Sequence, residues 1–502
     1  MVRLACSKTS FWALPPSLRL ASRAAYAAPV LRHSHSPDAS PRKLAIAGTE
    51  YPIDSWTNVP QSIISQYGRR LHIEPDHPLS ITRQLVESRF PGFRNHNDLA
   101  GVVTVAQNFD SLGFTPDHPG RNRSDTYYIN RDTLLRTHTS AHEVDVFRQN
   151  SSNGWTLSAD VYRRDAVDRS HYPIFHQMEG ALTWDRSAYS SRQACVDAIK
   201  ESFDRLPKHD LVVEDPNPPF HPERNPLQEK HHSPKEAEIV AAHLKCSLED
   251  MVVTIFTTAN QALAASGHAS DADQDPLKVR WVEAFFPHTS PSWEMEVWWR
   301  GDWLEVLGCG VIEQPLLIRA EQPERIGWAF GIGLERIAML LFGIPDIRLF
   351  WSKDPRFLKQ FSQREPNKRF QPFSKHPAAP RDVAFWLPAS LTGPVVVDTP
   401  ASSSTAPSPA GGQQDSAAQA SNTTEPAFHE NDLMEIVRTI AGDSVEDVRL
   451  IDDFQHPKTQ RRSLCYRIEY RSLERTLTTE EVNTMHEGVC KEMVQKFGVE
   501  IR

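Results

Sequence analysis

Cysteine is scarce in this chain and nowhere clustered: Cys6, Cys195, Cys246, Cys309, Cys465 and Cys490 show no CxxC spacing. That excludes a zinc knuckle and a disulfide framework and suits a reducing compartment. Long apolar runs are missing too; nothing approaches the roughly 20 residues of a transmembrane helix, so no membrane partner is expected. There is no global basic field, since 55 Lys and Arg against 64 Asp and Glu leave a formal charge of -9. Contact with a nucleic acid would have to rest on a local patch. One stretch lacks acids altogether: positions 1 to 37 carry Arg3, Lys8, Arg19, Arg23 and Arg32 among Ser, Ala and Leu. A basic, acid-free segment of this kind has the composition of a mitochondrial transit peptide, expected over residues 1–42 and addressed to the matrix; the alternative is a disordered basic tail.

What is present is ordinary globular chain, 502 residues with 39% hydrophobic content, enough for two or three domains. Two segments interrupt it. Residues 205–233 are rich in proline and charge and read as an exposed insertion, ended by "SPKE", where Ser233 can cap a helix, Pro234 suits its first turn and Glu236 completes a capping box. Residues 399–427, "TPASSSTAPSPAGGQQDSAAQASNTTEPA", have almost nothing to bury and read as a disordered insertion. Around that second gap the pattern runs strand, helix, strand, strand, helix, strand from "RDVAFWLP" to "VEIR", the order of a ferredoxin-like split βαβ fold. Within "SLCYRIEYR", Leu464, Tyr466, Ile468 and Tyr470 face one way, while Arg467, Glu469 and Arg471 face the other.

The middle of the chain reads as successive strands, "VRWVEAFFP" (279–287), "SWEMEVWWR" (292–300) and "DWLEVLGCGVI" (302–312), the last two joined by a tight turn and therefore antiparallel. Trp293, Met295, Val297 and Trp299 alternate with Glu294 and Glu296, giving one apolar and one polar face. An apolar helix, "GIGLERIAMLLFG", follows and puts Arg336 within a turn of its start. A dinucleotide-binding Rossmann turn is disfavoured, because it needs parallel strands with helical crossovers.

Gly331, Gly333, Glu335 and Arg336 resemble motif 3, "GxGxER", of the class II aminoacyl-tRNA synthetases, and "DVYRRDAVDRSHYPIFHQMEG" (160–180) resembles their motif 2. With "LLRTHTSAH", "FHQMEG", "FFP" and "GWAFG", the chain is similar to phenylalanyl-tRNA synthetases of the single-chain organellar type from about residue 105 to its end. The resemblance implies an α+β protein. A class II antiparallel sheet flanked by helices would span residues 43–370, and a ferredoxin-fold anticodon-binding domain would span residues 371–502. It implies ATP with magnesium, L-phenylalanine and tRNA(Phe) as reactants and partners, and a monomer.

Carried over by position, Arg163 would bind the α-phosphate and the substrate carboxylate, Asp165 would lie near the adenine amino group, His171 would reach the phosphates and Phe175 would stack on adenine. Arg336 would hold the γ-phosphate, with Gly331 and Gly333 letting its helix pack tightly on the sheet, and Glu305 would stand near the ATP-bound magnesium. His138, Ser140, Gln177 and Glu179 would surround the amino group and carboxylate of phenylalanine. Phe286 would pack edge-on against the substrate ring and Ala329 would floor its para position. His288 departs from the family pattern "FPF" and could hydrogen-bond a tyrosine hydroxyl. Lys458, Arg461, Arg462, Arg467 and Arg471 would meet the tRNA.

Each of these residues has a plainer reading. His138 and His142 could bind zinc, Phe175, Phe285 and Phe286 could be core, and Arg163 and Arg164 could be a solvated strand end. Two other functions stay open beside the ligase: a catalytically inactive synthetase-like RNA-binding or regulatory protein, and a ligase that activates an amino acid without charging tRNA.

Overall fold

Alternation between apolar and small or polar residues decides which way the central sheet faces. In the computed structural model, which describes residues 42–266, 277–299, 302–365, 368–372, 376–388, 391 and 428–502, that sheet has eight strands. They are β1 (Arg94–His96), β2 (Gly154–Tyr162), β3 (Ile174–Asp185), β4 (Val213–Glu214), β5 (Val279–Phe286), β6 (Thr289–Trp299), β7 (Asp302–Ile312) and β8 (Arg325–Gly333), in the order β1-β2-β3-β8-β7-β6-β5-β4. The six central strands are antiparallel, and a short parallel strand closes each edge.

Residues directly opposite one another across a ladder share a face. Trp281, Met295, Leu307, Ile332 and Met178 stand in one such row. They are buried in a cluster with Leu248, Met251 and Ile255 of a long helix and Ile337 and Leu341 of a short one. Each large apolar side chain buried there contributes about 1.5–3 kcal/mol. The neighbouring row, on the opposite face, reads Glu294, Gly308, Gly331, Glu179. At these four positions the face has little bulk to bury and is left open, whereas beyond Glu179 the same row continues to Leu157 of β2, which is buried with Trp155, Val144 and Phe147.

Of the helices packed around this sheet, three bear on the site: α1 (Glu143–Gln149), α2 (Pro234–Ser266) and α3 (Leu334–Phe342). The expected capping box starts α2, with the Ser233 hydroxyl and backbone N–H both donating to Glu236. α3 follows β8 without a loop and ends at Gly343, whose φ of 68° suits glycine as a left-handed stop.

The C-terminal part has the predicted order: β9 (Ala379–Trp386), α4 (Glu430–Ala441), β10 (Val445–Gln455), β11 (Arg462–Tyr470), α5 (Thr479–Phe497) and β12 (Glu500–Ile501), with sheet order β10-β11-β9-β12. Leu464, Tyr466, Ile468 and Tyr470 are fully buried with Leu433 and Val437 of α4 and Val482, Val489 and Met493 of α5. Residues 43–502 form one compact unit. The loop between β2 and β3 is built into this second sheet: Val167 is buried in its core, its carbonyl accepts from Val448 N–H at 2.9 Å, and Arg164 pairs with Asp432 at 2.9 Å.

One expectation changes. Residues 205–233 are not simply an exposed insertion: Val212 is 84% exposed, but Asn225 and His232 are each 2% exposed. Asn225 exchanges hydrogen bonds with the Ser292 backbone, and Gln228 bonds to Ser290, Ile312 and Gln314, so the segment's second half ties down the β5–β6 and β7 ends. Its proline and charge content predicted solvent because sequence composition does not reveal side-chain amides that pair with a strand end. The tract 399–427, nearly all of the 1–42 segment, and the turn residues Arg300 and Gly301 lie outside the described residues.

Candidate active site

The open face of the sheet forms the floor of a cavity of about 900 Å³, within the range of small-molecule sites. Every residue that the resemblance assigned to phenylalanine or ATP lines this one cavity. The residues come from β3, β5, β7 and β8, from the β2–β3 and β5–β6 loops, from the 3-10 turn Thr139–His142 with His138 before it, and from the first turn of α3.

At one end the side chains are buried. His138 precedes the 3-10 turn, its ring stacked on Phe114 at 5.6 Å and its two ring nitrogens buried without partners. The Ser140 hydroxyl donates to Glu179 Oε1 at 2.5 Å, and Gln177 Oε1 accepts from the Thr139 N–H at 3.3 Å. Glu179 Oε2 is buried with no partner. Burial raises Glu179 to about 7 against the hydrogen bonds that lower it. Burial also holds His138 well below its ordinary value and takes His288 down to about 4, so both imidazoles are neutral at pH 7. The His288 ring lies 6.3 Å from that of Phe286, and its Nδ1 is buried and unpartnered.

Small residues create this space. Ala329 stands between Gly310 and Ala181 on the neighbouring strands. A methyl group on Gly308 would come within 2.6 Å of the Phe286 ring, so only glycine lets that ring lie across β7. Gly331 and Gly333 do not serve helix packing as expected. Their added methyl groups would meet nothing closer than 3.7 Å and nothing at all within 4 Å, respectively. They keep the floor clear instead.

The other end is open. Arg163 follows β2; its Nε donates to Thr137 O at 2.7 Å and its guanidinium lies 5.3 Å from the Phe175 ring centre. Arg336, the third residue of α3, is exposed and donates to Glu305 O at 2.8 Å. Glu305 is exposed on β7, and its charge helps to raise nearby Glu294, which burial first pushes to about 7. His171 is exposed in the β2–β3 loop and bonded to Asp168 at 2.6 Å, a hydrogen bond that raises its pKa. Asp165 Oδ1 caps the Ala166 N–H at 2.7 Å. Two cations flanking a floor without bulk suit a polyphosphate, because a guanidinium fork donates bidentately to phosphate oxygens.

Several plainer readings fall away. His142 Nε2 is engaged by Arg136 Nη1 at 2.9 Å, and no group of three metal-ligating side chains occurs among the described residues, so the zinc reading finds no site. Phe175 and Phe286 line the cavity, whereas Phe285 is 82% exposed rather than core. Arg164 is buried rather than a solvated strand end.

The sequence assigns no role to Phe114, His118, Glu143 or Glu335, which also line the cavity. Glu335 accepts from the His176 N–H at 2.8 Å and bonds its Nδ1 at 2.7 Å, which fixes α3, and with it Arg336, against β3. Its place in "GxGxER" was the available signal.

In the C-terminal sheet the structure does not gather the five expected tRNA contacts into one free basic face. Arg467 pairs with Asp382 at 2.8 Å, Arg461 with Glu500 at 2.7 Å and Arg462 with Asp453. Arg471 pairs with Glu446 and donates to His376 O, and its carbonyl accepts from Arg348, where the two sheets' surroundings meet. Lys458 is exposed in the β10–β11 turn.

The family model described as tRNA synthetases class II core domain (F) matches residues 64–205 and 238–361, and that of the ferredoxin-fold anticodon binding domain matches residues 420–502. The chain is 46% identical over 479 residues to the mitochondrial phenylalanine–tRNA ligase of Saccharomyces cerevisiae, covering 91% of this chain and 94% of that one. It is 40% identical over 471 residues to the mitochondrial enzyme of Mus musculus, covering 91% and 89%. It is 36% identical over 492 residues to the chloroplastic/mitochondrial enzyme of Arabidopsis thaliana, covering 96% and 92%. No helix among the described residues is long and apolar enough to cross a membrane.

Proposed function

This chain belongs to the mitochondrial phenylalanine–tRNA ligases of class II, and we propose that the cavity on its central sheet carries both half-reactions, with the buried end taking phenylalanine and the open end taking ATP. It is an aminoacyl-tRNA ligase that uses ATP. The observation that carries the assignment of ends is the split in burial. The phenyl ring meets Phe286, Ala329 and His288, and the ammonium meets Glu179, Ser140 and Gln177 near His138.

In the first half-reaction a carboxylate oxygen of phenylalanine bonds to the α-phosphorus while the bond from phosphorus to the bridging oxygen breaks, and pyrophosphate leaves with that electron pair. No side-chain nucleophile is needed. Arg163, between the two ends, orients the carboxylate and the α-phosphate and meets charge that grows on the phosphoryl oxygens. Arg336 and His171 hold the outer phosphates, Phe175 stacks on adenine with Asp165 beside it, and Gly333 leaves backbone exposed to the nucleotide. In the second half-reaction a hydroxyl of the terminal adenosine of tRNA attacks the carbonyl carbon and AMP leaves.

Magnesium fits the open end, where Glu305, with Glu294 one strand away, offers hard oxygen donors and no complete protein cage. When bound, the ion would neutralise phosphate charge. Lys458 and Arg461 in the β10–β11 turn, with Arg462, Arg467 and Arg471, would meet the tRNA. Exposed ion pairs such as Arg467–Asp382 are worth only about 0–1 kcal/mol, so exchanging the carboxylate for a phosphate costs little. The acid-free basic start of the chain supports the mitochondrial matrix as its place of action.

The test is pyrophosphate exchange into ATP followed by charging of tRNA(Phe). Phenylalanine-driven exchange and charging are expected, with far weaker exchange for tyrosine. Absence of exchange would return the inactive RNA-binding alternative.

A further inference from the structure

The buried end of the cavity holds one carboxyl more than a single ammonium group needs. Glu143 opens α1, one turn after Ser140; it is 3% exposed and lines the cavity. Glu179 reaches the same space from β3, 7% exposed, with Oε1 taken by the Ser140 hydroxyl and Oε2 unpartnered.

The charged groups around them are otherwise engaged. Arg136, behind the 3-10 turn, faces Asp160 and His142. Arg163 donates to the Thr137 carbonyl, His138 and His288 are neutral, and on the outer side of α1 Asp145 pairs with Arg148. Among the described residues no Lys or Arg forms an ion pair with either carboxylate. Two anions enclosed together without a cation cannot both persist, because each is penalised by desolvation and by the other's charge.

Given the ligase reading above, we propose that Glu143 is a further residue of the amino-acid site, kept in its acid form so that Glu179 alone supplies the negative charge met by the substrate ammonium. The pair's acidities agree: burial first and the Glu179 charge second hold Glu143 well above the carboxylate range, while Glu179 stands at about 7. Loading the ammonium then balances the one carboxylate of the pair. Any proton displaced below neutral pH comes from Glu179 and passes to the buffer.

The experiment uses the full chain with L-phenylalanine as the probe. Pyrophosphate exchange gives KM for the wild type, for Glu143→Ala and for Glu143→Gln. Calorimetry in two buffers of different ionisation heat counts protons released on binding. The expected result is a rise in KM for phenylalanine of about tenfold for Glu143→Ala, brought back to within about twofold of the wild type by the neutral isostere Glu143→Gln, with release close to one proton per site at pH 6 and almost none at pH 8 in the wild type and in Glu143→Gln. A KM unchanged in Glu143→Ala overturns the proposal, because Glu143 is then no part of the site, and a rise of tenfold or more in Glu143→Gln at unchanged kcat overturns it too, because Glu143 then carries charge toward the ammonium. Release that persists at pH 8 in the wild type and is lost in Glu143→Gln overturns it as well. If Glu143→Gln does not fold, the wild-type proton count decides alone. A wild type that neither binds phenylalanine nor exchanges would overturn the ligase reading itself, an outcome distinct from the others.

Discussion

The two ends of the cavity lie on one sheet face yet handle charge in opposite ways. At the amino-acid end, Ser140, Glu143 and Glu179 are buried, His138 and His288 are held neutral by that burial, and the orphaned polar atoms are His138 Nδ1 and Nε2, Glu179 Oε2 and His288 Nδ1. At the nucleotide end, Arg336, Glu305 and His171 stand in solvent with their charges in play. A small zwitterion with an apolar ring is recognised by shape and by unfilled hydrogen-bond sites in a dry pocket, where a mismatch costs a full desolvation penalty. A polyphosphate is gathered by exposed cations, whose pull is long-ranged and screened by salt.

The sharpest way to break the contrast is Glu179→Gln. It removes a carboxylate oxygen left without a partner in the buried end and is expected to raise KM for phenylalanine by about 10² to 10³ in pyrophosphate exchange. The wild type should show the same dependence through pH. A carboxyl whose folded pKa is raised to about 7 is protonated below that value, so KM for phenylalanine should climb about tenfold per pH unit below 7 and level off above it.

Next in size, Arg336→Ala at the open end should lower kcat/KM for ATP by about 10² and leave KM for phenylalanine near its wild-type value. Added salt should weaken ATP use in the wild type more than in this variant, and phenylalanine use in neither.

Gly308→Ala tests whether shape rules the buried end. Its new methyl group must displace the Phe286 ring, and a rise in KM for phenylalanine of about tenfold is expected with little loss of stability, since the floor faces a cavity.

The smallest effect should come from His288→Phe. Folding holds this imidazole at about 4, below its ordinary 6.5, so the unfolded chain takes up the proton first as pH falls. The stability present above 6.5 is therefore lost between 6.5 and 4, and unfolding free energies from urea at pH 7 and at about pH 5.5 should show the variant losing less, by about 1 kcal/mol.

Much of the contrast could be anticipated residue by residue. Period-two alternation gives the correct face for Trp293, Met295 and Val297 and for Leu464, Tyr466, Ile468 and Tyr470, all buried, because side chains on a strand must alternate. The "SPKE" capping box placed the start of α2, because a cap is satisfied within four residues. Glu143 and His118 were missed, because nothing adjacent in sequence says that a helix's first residue will look into a cavity floored by strands up to 190 positions away. The pairing of the arginines in and just after β11 escapes the sequence for the same reason: their carboxylate partners Asp382, Glu446 and Asp453 lie on other strands.

By itself the sequence determined the strand and helix periods, the helix stops, the residue types able to bind phosphate and the family to which the chain belongs, since each rests on local sterics or on short ordered motifs. Only the tertiary structure decided which glycines clear the cavity floor, that the β2–β3 loop is held by the C-terminal sheet, and which carboxyls, imidazoles and guanidinium groups are left without a partner. Burial and pairing are sums over neighbours distant in the chain, and they set charge only after the sheet has closed.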